Sequence, residues 1–103
     1  MKTGSEIRNL EGEVFTQQDG EAVTLGNICV QALSVPSQDE TPKDKGAKFK
    51  LAVDLHGKSD VDLESEDIVL IKECLAKLGI SNILYGRAVE LLEGKSNGKV
   101  KEK

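Results

Sequence analysis

The chain has 103 residues and a mass of 11.1 kDa, which is enough for one small domain and too little for two separate hydrophobic cores. Its apolar fraction of 38% excludes a wholly disordered chain. The 14 basic and 18 acidic side chains leave a formal charge of −4, which disfavours a general affinity for nucleic acids or anionic lipids.

The aromatic content and the hydropathy pattern narrow the class further. The aromatic residues are Phe15, Phe49 and Tyr85, and tryptophan is absent, which argues against a base-stacking surface for single-stranded nucleic acid. No apolar run approaches the ~20 residues that cross a bilayer, and the first residues lack the apolar core of a signal peptide. We therefore expect an aliphatic core and a cytoplasmic protein that does not enter a membrane.

The two ends of the chain differ in composition from its middle. Residues 1–12 mix Gly, Ser, Asn and charged residues without periodicity, and residues 95–103 are rich in lysine. Such segments bury little apolar surface. The sequence predicts a flexible N-terminus over 1–12, a single globular domain over 13–94 and a flexible basic tail over 95–103.

A short β-hairpin is predicted at the start of the domain. Residues 13–16 and 22–24 are β-prone and flank a polar stretch that contains Asp19 and Gly20. The Asp-Gly pair is typical of hairpin turns because glycine adopts a positive φ at little steric cost.

The first two helices follow from capping residues and apolar spacing. Thr24 is a good N-cap residue, and apolar residues repeat at helical spacing from Leu25 until the chain approaches Pro36. After a solvated loop, a second helix is predicted to begin at residue 44 or 47 and to end at residue 56, with Gly57 just beyond its end. The residues predicted to form its buried stripe are Phe49, Ala52, Val53 and His56, widened by Leu51 and Leu55.

Two further helices complete the predicted fold. Ser65 is predicted to cap a third helix that ends at Gly79, and Ser81 a fourth that runs to Gly94. Gly86, inside the fourth helix, is interpreted as the mark of a close helix crossing. The predicted fold class is α+β and mostly α, with a short N-terminal β-hairpin followed by a compact cluster of about four helices.

Patterns for catalysis and metal binding are incomplete. His56 is the only histidine, and Cys29 and Cys74 lack the spacing that places zinc ligands on one local element. The acidic run over 60–67 has Ser65 where an EF-hand loop needs glycine. Phosphate-binding glycine motifs and nucleophile elbows are also missing. We therefore predict buried thiols, no cofactor, no bound metal and no enzymatic activity.

Two charged segments are candidate contacts for a protein partner. One is the basic start of the second helix, and the other is the acidic strip before the third. The candidate partner-binding residues are Lys43, Lys45, Lys48, Lys50, Asp60, Asp62 and Glu64. Surplus aliphatic residues beside the main stripes are Val69, Leu70 and Val89. The alternative is that these opposite charges pair with each other on the surface for little energy. An oligomer is compatible with either interpretation.

Residues 65–94 also fit a helix-turn-helix, which gives an alternative function as a small DNA-binding or antirepressor-type regulator. The candidate nucleic-acid contacts are Asn82, Arg87 and Lys95. The predicted recognition helix offers one arginine against Glu90 and Glu93. That charge balance disfavours contact with a DNA groove, so we rank this function second.

Four stretches of the chain resemble small, largely uncharacterised proteins of tailed bacteriophages and prophages. They are Glu-Ala-Val-Thr-Leu-Gly from Glu21, Phe-Lys-Leu-Ala-Val from Phe49, Val-Asp-Leu-Glu-Ser-Glu-Asp-Ile-Val-Leu-Ile-Lys from Val61, and Tyr-Gly-Arg-Ala-Val-Glu-Leu-Leu-Glu-Gly from Tyr85. The resemblance covers most of residues 10–94. It implies an accessory protein in the cytoplasm of a bacterial host, such as a factor or chaperone for assembly of the virion tail or head, with a phage-encoded protein as its partner. It brings no catalytic residues.

Overall fold

The computed structural model describes residues 1–94, and within that range the chain forms four helices. They are α1 (Leu25–Ser34), α2 (Pro42–Gly57), α3 (Ser65–Ala76) and α4 (Asn82–Leu92). Helix α1 lies at the centre, because α2, α3 and α4 all pack against it, and α3 also packs against α4. None of the helices in this range is long and apolar enough to cross a membrane. The predicted basic tail over 95–103 lies outside the described residues.

The core is built from aliphatic side chains of the helices and of the segment that precedes them. Its largest fully buried side chains are Ile7, Leu25, Cys29, Leu55, Ile71 and Leu75. Phe15 and Tyr85 pack against this cluster but are only partly buried. The aliphatic core expected from the composition is therefore present.

The predicted α+β class is wrong, because residues 1–94 contain no strand and no sheet and the fold is all-α. The pairing expected of a hairpin is reduced to isolated β-bridges. Those within the first 24 residues join Glu6 to Thr24, Arg8 to Val14, and Thr16 to Ala22. Residues 6–8, 14–16 and 22–24 each pair with both of the other two segments, but every pairing consists of a single bridge. No pairing is therefore long enough to form a strand.

The predicted turn at Gly20 is nevertheless formed. Gly20 has a φ of 89°, and its N–H donates to the Gln17 carbonyl oxygen at 2.9 Å. The Gln17 N–H in turn donates to the Glu21 carbonyl oxygen at 2.8 Å. The local turn chemistry was thus predictable, whereas the pairing beyond the turn was not.

A closed ring of three backbone hydrogen bonds replaces the hairpin. The Ile7 N–H donates to Val23 at 3.1 Å, the Phe15 N–H donates to Ile7 at 2.8 Å, and the Val23 N–H donates to Phe15 at 2.8 Å. These three residues are spaced eight apart. The sequence carries a matching repeat, with Gly-Glu-Val-Phe-Thr over 12–16 and Gly-Glu-Ala-Val-Thr over 20–24, which the hairpin prediction overlooked.

The first residues of the chain are hydrogen-bonded to the helices. The N–H of Thr3 donates to the Ser59 carbonyl oxygen at 3.1 Å. The N–H groups of Leu25 and Gly26 donate to the carbonyl oxygens of Ser5 and Thr3, each at 2.8 Å, which satisfies two amides that have no partner inside α1. The flexibility predicted for residues 1–12 stays a prediction.

The helix starts follow the capping residues closely. The predicted N-caps of α1 and α4 are confirmed, since the Thr24 side chain accepts from the Asn27 N–H and the Ser81 side chain accepts from the Leu84 N–H. Helix α2 begins earlier than predicted because residue 41 provides a capping box and Pro42 fits the first turn, where its missing N–H costs nothing. The prediction that Ser65 caps α3 is wrong, because Ser65 is the first helical residue and the cap is Glu64, whose N–H donates to the Asp67 carboxylate at 3.1 Å.

Two glycine predictions are wrong. Gly57 is the last residue of α2 and not the residue beyond it. A Cβ at Gly86 would meet nothing within 4 Å, so this glycine does not mark a close crossing. Gly94 has a positive φ of 86° directly after the C-cap of α4, as its predicted position requires. Gly79 also has a positive φ, 81°, but α3 ends earlier than predicted, at Ala76.

Candidate functional site

Helix α2 turns an apolar edge toward solvent. Phe49 is 71% exposed and Val53, one helical turn further on, is 52% exposed. Residues at i and i+4 lie on the same side of a helix, so the two side chains form one continuous apolar patch. Burying a side chain of this size against a partner stabilises a complex by about 1.5–3 kcal/mol.

The packing side of α2 lies opposite this patch. Leu51 and Leu55 are 8% and 2% exposed and belong to the core. The stripe predicted from the sequence is therefore wrong at Phe49, Val53 and His56, which are exposed. Its predicted members Leu51, Leu55 and Ala52 do pack in or against the core. Helix α2 carries apolar residues on two sides, and only one of them faces the core.

A groove of about 350 Å³ opens beside Phe49. The end of α1 and the following loop supply one wall through Leu33, Val35 and Pro36, while α2 supplies the other. Val35 is itself 44% exposed. The apolar patch on α2 thus continues into a concavity that is large enough to receive an apolar side chain.

Exposed lysines flank the patch. Lys43, Lys45 and Lys50 are all exposed, and none of them forms an ion pair with any residue in the described range. Lys45 precedes Phe49 by one turn, and Lys50 follows it directly. We call Lys45, Phe49, Lys50 and Val53 the α2 outer face.

Lys48 differs from the other lysines of α2 because it is buried. Its ammonium group forms an ion pair with the Glu40 carboxylate, and the two side chains are only 10% and 5% exposed. This hydrogen bond lowers the pKa of Glu40 and raises the pKa of Lys48. The pair fastens the loop between α1 and α2, so Lys48 does not belong to the surface predicted to meet a partner.

The acidic strip before α3 is exposed, but its members are not equivalent. Asp60 pairs with Lys2 at 3.2 Å, and this contact lowers the pKa of Asp60. Asp62 and Glu64 are exposed to solvent. Asp60 therefore takes part in an internal contact, whereas Asp62 and Glu64 are accessible to a partner.

The candidate nucleic-acid contacts are poorly placed. Asn82 is exposed at the start of α4. The Arg87 side chain is only 15% exposed and donates to the Glu90 carboxylate at 3.2 Å. Lys95 lies outside the described residues. The arginine on which a DNA contact would depend is thus already engaged within its own helix.

The thiols and the histidine have separate environments. Cys29 is fully buried, and burial raises its pKa to about 12. Cys74 is 7% exposed and burial also raises its pKa, while His56 is exposed near the end of α2. Across residues 1–94, no three His, Cys, Asp or Glu side chains are grouped so that they could hold a metal ion. Both thiols are protonated at neutral pH in these surroundings.

Sequence reasoning assigned Phe49 and Val53 to the core and so missed them as surface residues. The available signal was the presence of Leu51 and Leu55 on the other side of the same helix, because a helix packed against one neighbour buries one stripe.

No protein-family model, curated protein or solved structure matches this chain.

Proposed function

We propose that this protein acts by binding another protein through the α2 outer face and does not catalyse a reaction. The observation that carries the proposal is the 71% exposure of Phe49 one turn from the exposed Val53. Aromatic side chains are frequent anchors of protein interfaces, where a few buried groups supply most of the binding energy. The groove beside Phe49 adds a concave contact to this anchor.

The charges around the patch define the chemistry of the partner. Lys45 lies one turn before Phe49 and Lys50 one turn before Val53, and neither forms an ion pair inside the described range. A complementary surface presents acidic side chains around an apolar centre. An amphipathic helix with apolar residues at i and i+4 and with flanking glutamates has this pattern and the length to lie along α2.

A non-enzymatic role is supported by the state of the candidate nucleophiles. The thiols of Cys29 and Cys74 are buried and their pKa values are raised, which keeps them unreactive at neutral pH. The biological setting that we propose is assembly of a bacteriophage virion in the bacterial cytoplasm. That setting is drawn from the resemblance of the sequence to phage and prophage proteins.

A titration with a defined peptide tests the proposed function. The full chain, labelled with ¹⁵N, is titrated with a synthetic helical peptide that carries leucines at i and i+4 flanked by glutamates. A matched peptide has lysines in place of the glutamates. We expect amide shifts along α2 with the acidic peptide and none with the basic one, because the exposed lysines repel the latter.

A pair of variants localises the contact. Phe49→Ser is expected to weaken binding of the acidic peptide at least tenfold, which corresponds to about 1.4 kcal/mol. Leu10→Ser is a suitable control because Leu10 is 68% exposed, almost as much as Phe49, and lies on an N-terminal turn. Equal affinities of wild type and Phe49→Ser, or shifts that avoid α2, would overturn the proposal.

A further inference from the structure

Helix α3 also turns an apolar side chain toward solvent, but with the opposite charge around it. Val69 is 53% exposed. Glu66 and Glu73 lie three residues before it and four residues after it, so they share its side of the helix, and both are exposed. Lys72, three residues after Val69, also lies on this side, and its ammonium group is paired with the Glu93 carboxylate. We call Glu66, Val69 and Glu73 the α3 outer face.

The two outer faces are complementary in sign and similar in spacing. On α2, Lys45 lies one turn before Phe49, and on α3, Glu73 lies one turn after Val69. The basic surface on α2 and an oppositely charged surface on α3 are thus both present in the sequence of one chain. Helix α3 supplies the flanking glutamates around one exposed apolar residue, Val69, in place of an apolar pair at i and i+4.

The two faces do not meet within one molecule. Helices α2 and α3 both pack on α1, and they do so through their buried leucines and isoleucines, such as Leu55 and Ile71. Glu73 lines a groove between α3 and the side of α2 that carries Ala47 and Lys48, but no residue of the α2 outer face lines it. Both outer faces are exposed to solvent in the single chain. A contact between them therefore joins two molecules.

We infer that the partner of the α2 outer face is the α3 outer face of a second copy of this chain, an inference that rests on the proposed function and names its partner. Because the two faces are different, the contact is head-to-tail. Each added copy presents a further unoccupied face, so association continues into a ring or an open filament and does not stop at a two-fold dimer. The few side chains involved make the contact small and weak.

Sedimentation velocity of the full chain tests the inference. Between about 10 μM and about 1 mM protein at low salt, the average mass is expected to rise above the monomer mass of 11.1 kDa and to keep rising with concentration. Added salt is expected to reverse the rise, since exposed charges are screened. A mass that stays at the monomer value throughout contradicts self-association. The peptide titration can still succeed in that case, which separates the two failures.

Charge reversal tests which faces are used. Lys45→Glu combined with Lys50→Glu is expected to lower the association constant at least tenfold, and so is Glu66→Lys combined with Glu73→Lys. A chain carrying all four substitutions is expected to associate again, because complementarity returns with the signs exchanged. Glu11→Lys with Glu13→Lys is the matched control on an exposed turn and is expected to leave association unchanged.

Circular dichroism of each variant establishes that it is folded before its mass is compared. Failure of the fourfold variant to regain association contradicts the pairing of these two faces. A closed dimer whose mass stops at twice the monomer value contradicts the head-to-tail arrangement.

Discussion

The backbones of Thr3 and Gly26 touch, because the Gly26 N–H donates to the Thr3 carbonyl oxygen at 2.8 Å. A Cβ at position 26 would lie 2.7 Å from the Thr3 Cβ and 2.9 Å from the Thr3 carbonyl oxygen. This contact fixes the N-terminal segment to the first turn of α1. Glycine is required at position 26 by the close approach of the chain and not by a positive φ.

Gly26→Ala is therefore expected to destabilise the protein by about 1–3 kcal/mol, since the added methyl group forces the two backbones apart. The matched control is Gly86→Ala in α4, where an added Cβ meets nothing within 4 Å. That substitution is expected to stabilise the protein by about 0.5–1 kcal/mol. Urea unfolding measures both changes, and shifts of the same sign would contradict the contact at Thr3.

The ion pair of Glu40 with Lys48 predicts a specific acid sensitivity. Hydrogen bonding to Lys48 holds the pKa of Glu40 below its ordinary value. The stabilisation is therefore complete above the ordinary pKa of a glutamate and is lost as the pH falls through the lower pKa of the folded state. Lys48 acts at the alkaline end, because its raised pKa gives stability that is lost as the pH rises above its ordinary range.

Glu40→Gln is expected to lower the urea midpoint at pH 6 and to reduce its further decline below pH 4. Asp39→Asn, at the exposed neighbouring position, is expected to follow the wild-type pH profile. The measurement is the urea midpoint between about pH 2.5 and pH 6. Parallel profiles of Glu40→Gln and wild type would show that this pair does not contribute to the acid dependence.

The buried thiol of Cys29 is expected to resist alkylation in the folded protein. Burial raises its pKa from 9.0 to about 12, which leaves roughly a thousandfold less thiolate at pH 8. Labelling with iodoacetamide, followed by mass spectrometry of the peptides, is expected to be at least that much slower in buffer than in concentrated urea. Labelling of Cys29 at similar rates in both solvents would refute its burial.

Local signals in the sequence were sufficient to place most helix ends. Thr24 and Ser81 cap α1 and α4 as predicted, because a hydroxyl at the cap satisfies an amide that the helix leaves unpaired. Gly94 was likewise predictable as the residue just beyond the end of α4. These features depend on a few adjacent residues, so the sequence alone determines them.

Features that depend on distant residues were not predictable from local patterns. The turn at Gly20 formed as expected, but Phe15 pairs with Ile7 and Val23 pairs with Phe15, so the pairing closes into a ring of three segments in place of two strands. Only recognition of the eight-residue repeat could have indicated this. A two-residue turn signal does not specify what lies beyond it.

The prediction of which side of α2 is buried was wrong for a different reason. Phe49 and Val53 define one stripe at helical spacing, and Leu51 and Leu55 define another, so periodicity does not decide between them. Lys48 lies toward the buried side and makes that side look polar in sequence. Its ion pair with Glu40, on the loop before the helix, is a tertiary contact that permits the burial. The candidate site was therefore visible only in the structure.

Phe49 lies on a free surface of α2, while Leu55 supports the core. The most direct measurement is the free energy of unfolding of Phe49→Ala and Leu55→Ala, obtained from urea titrations under the same conditions. We predict a change within about 0.5 kcal/mol for Phe49→Ala and a loss of about 2–5 kcal/mol for Leu55→Ala. The reverse order, with Phe49→Ala the more destabilising, would place Phe49 in the core and leave the proposed function without its binding surface.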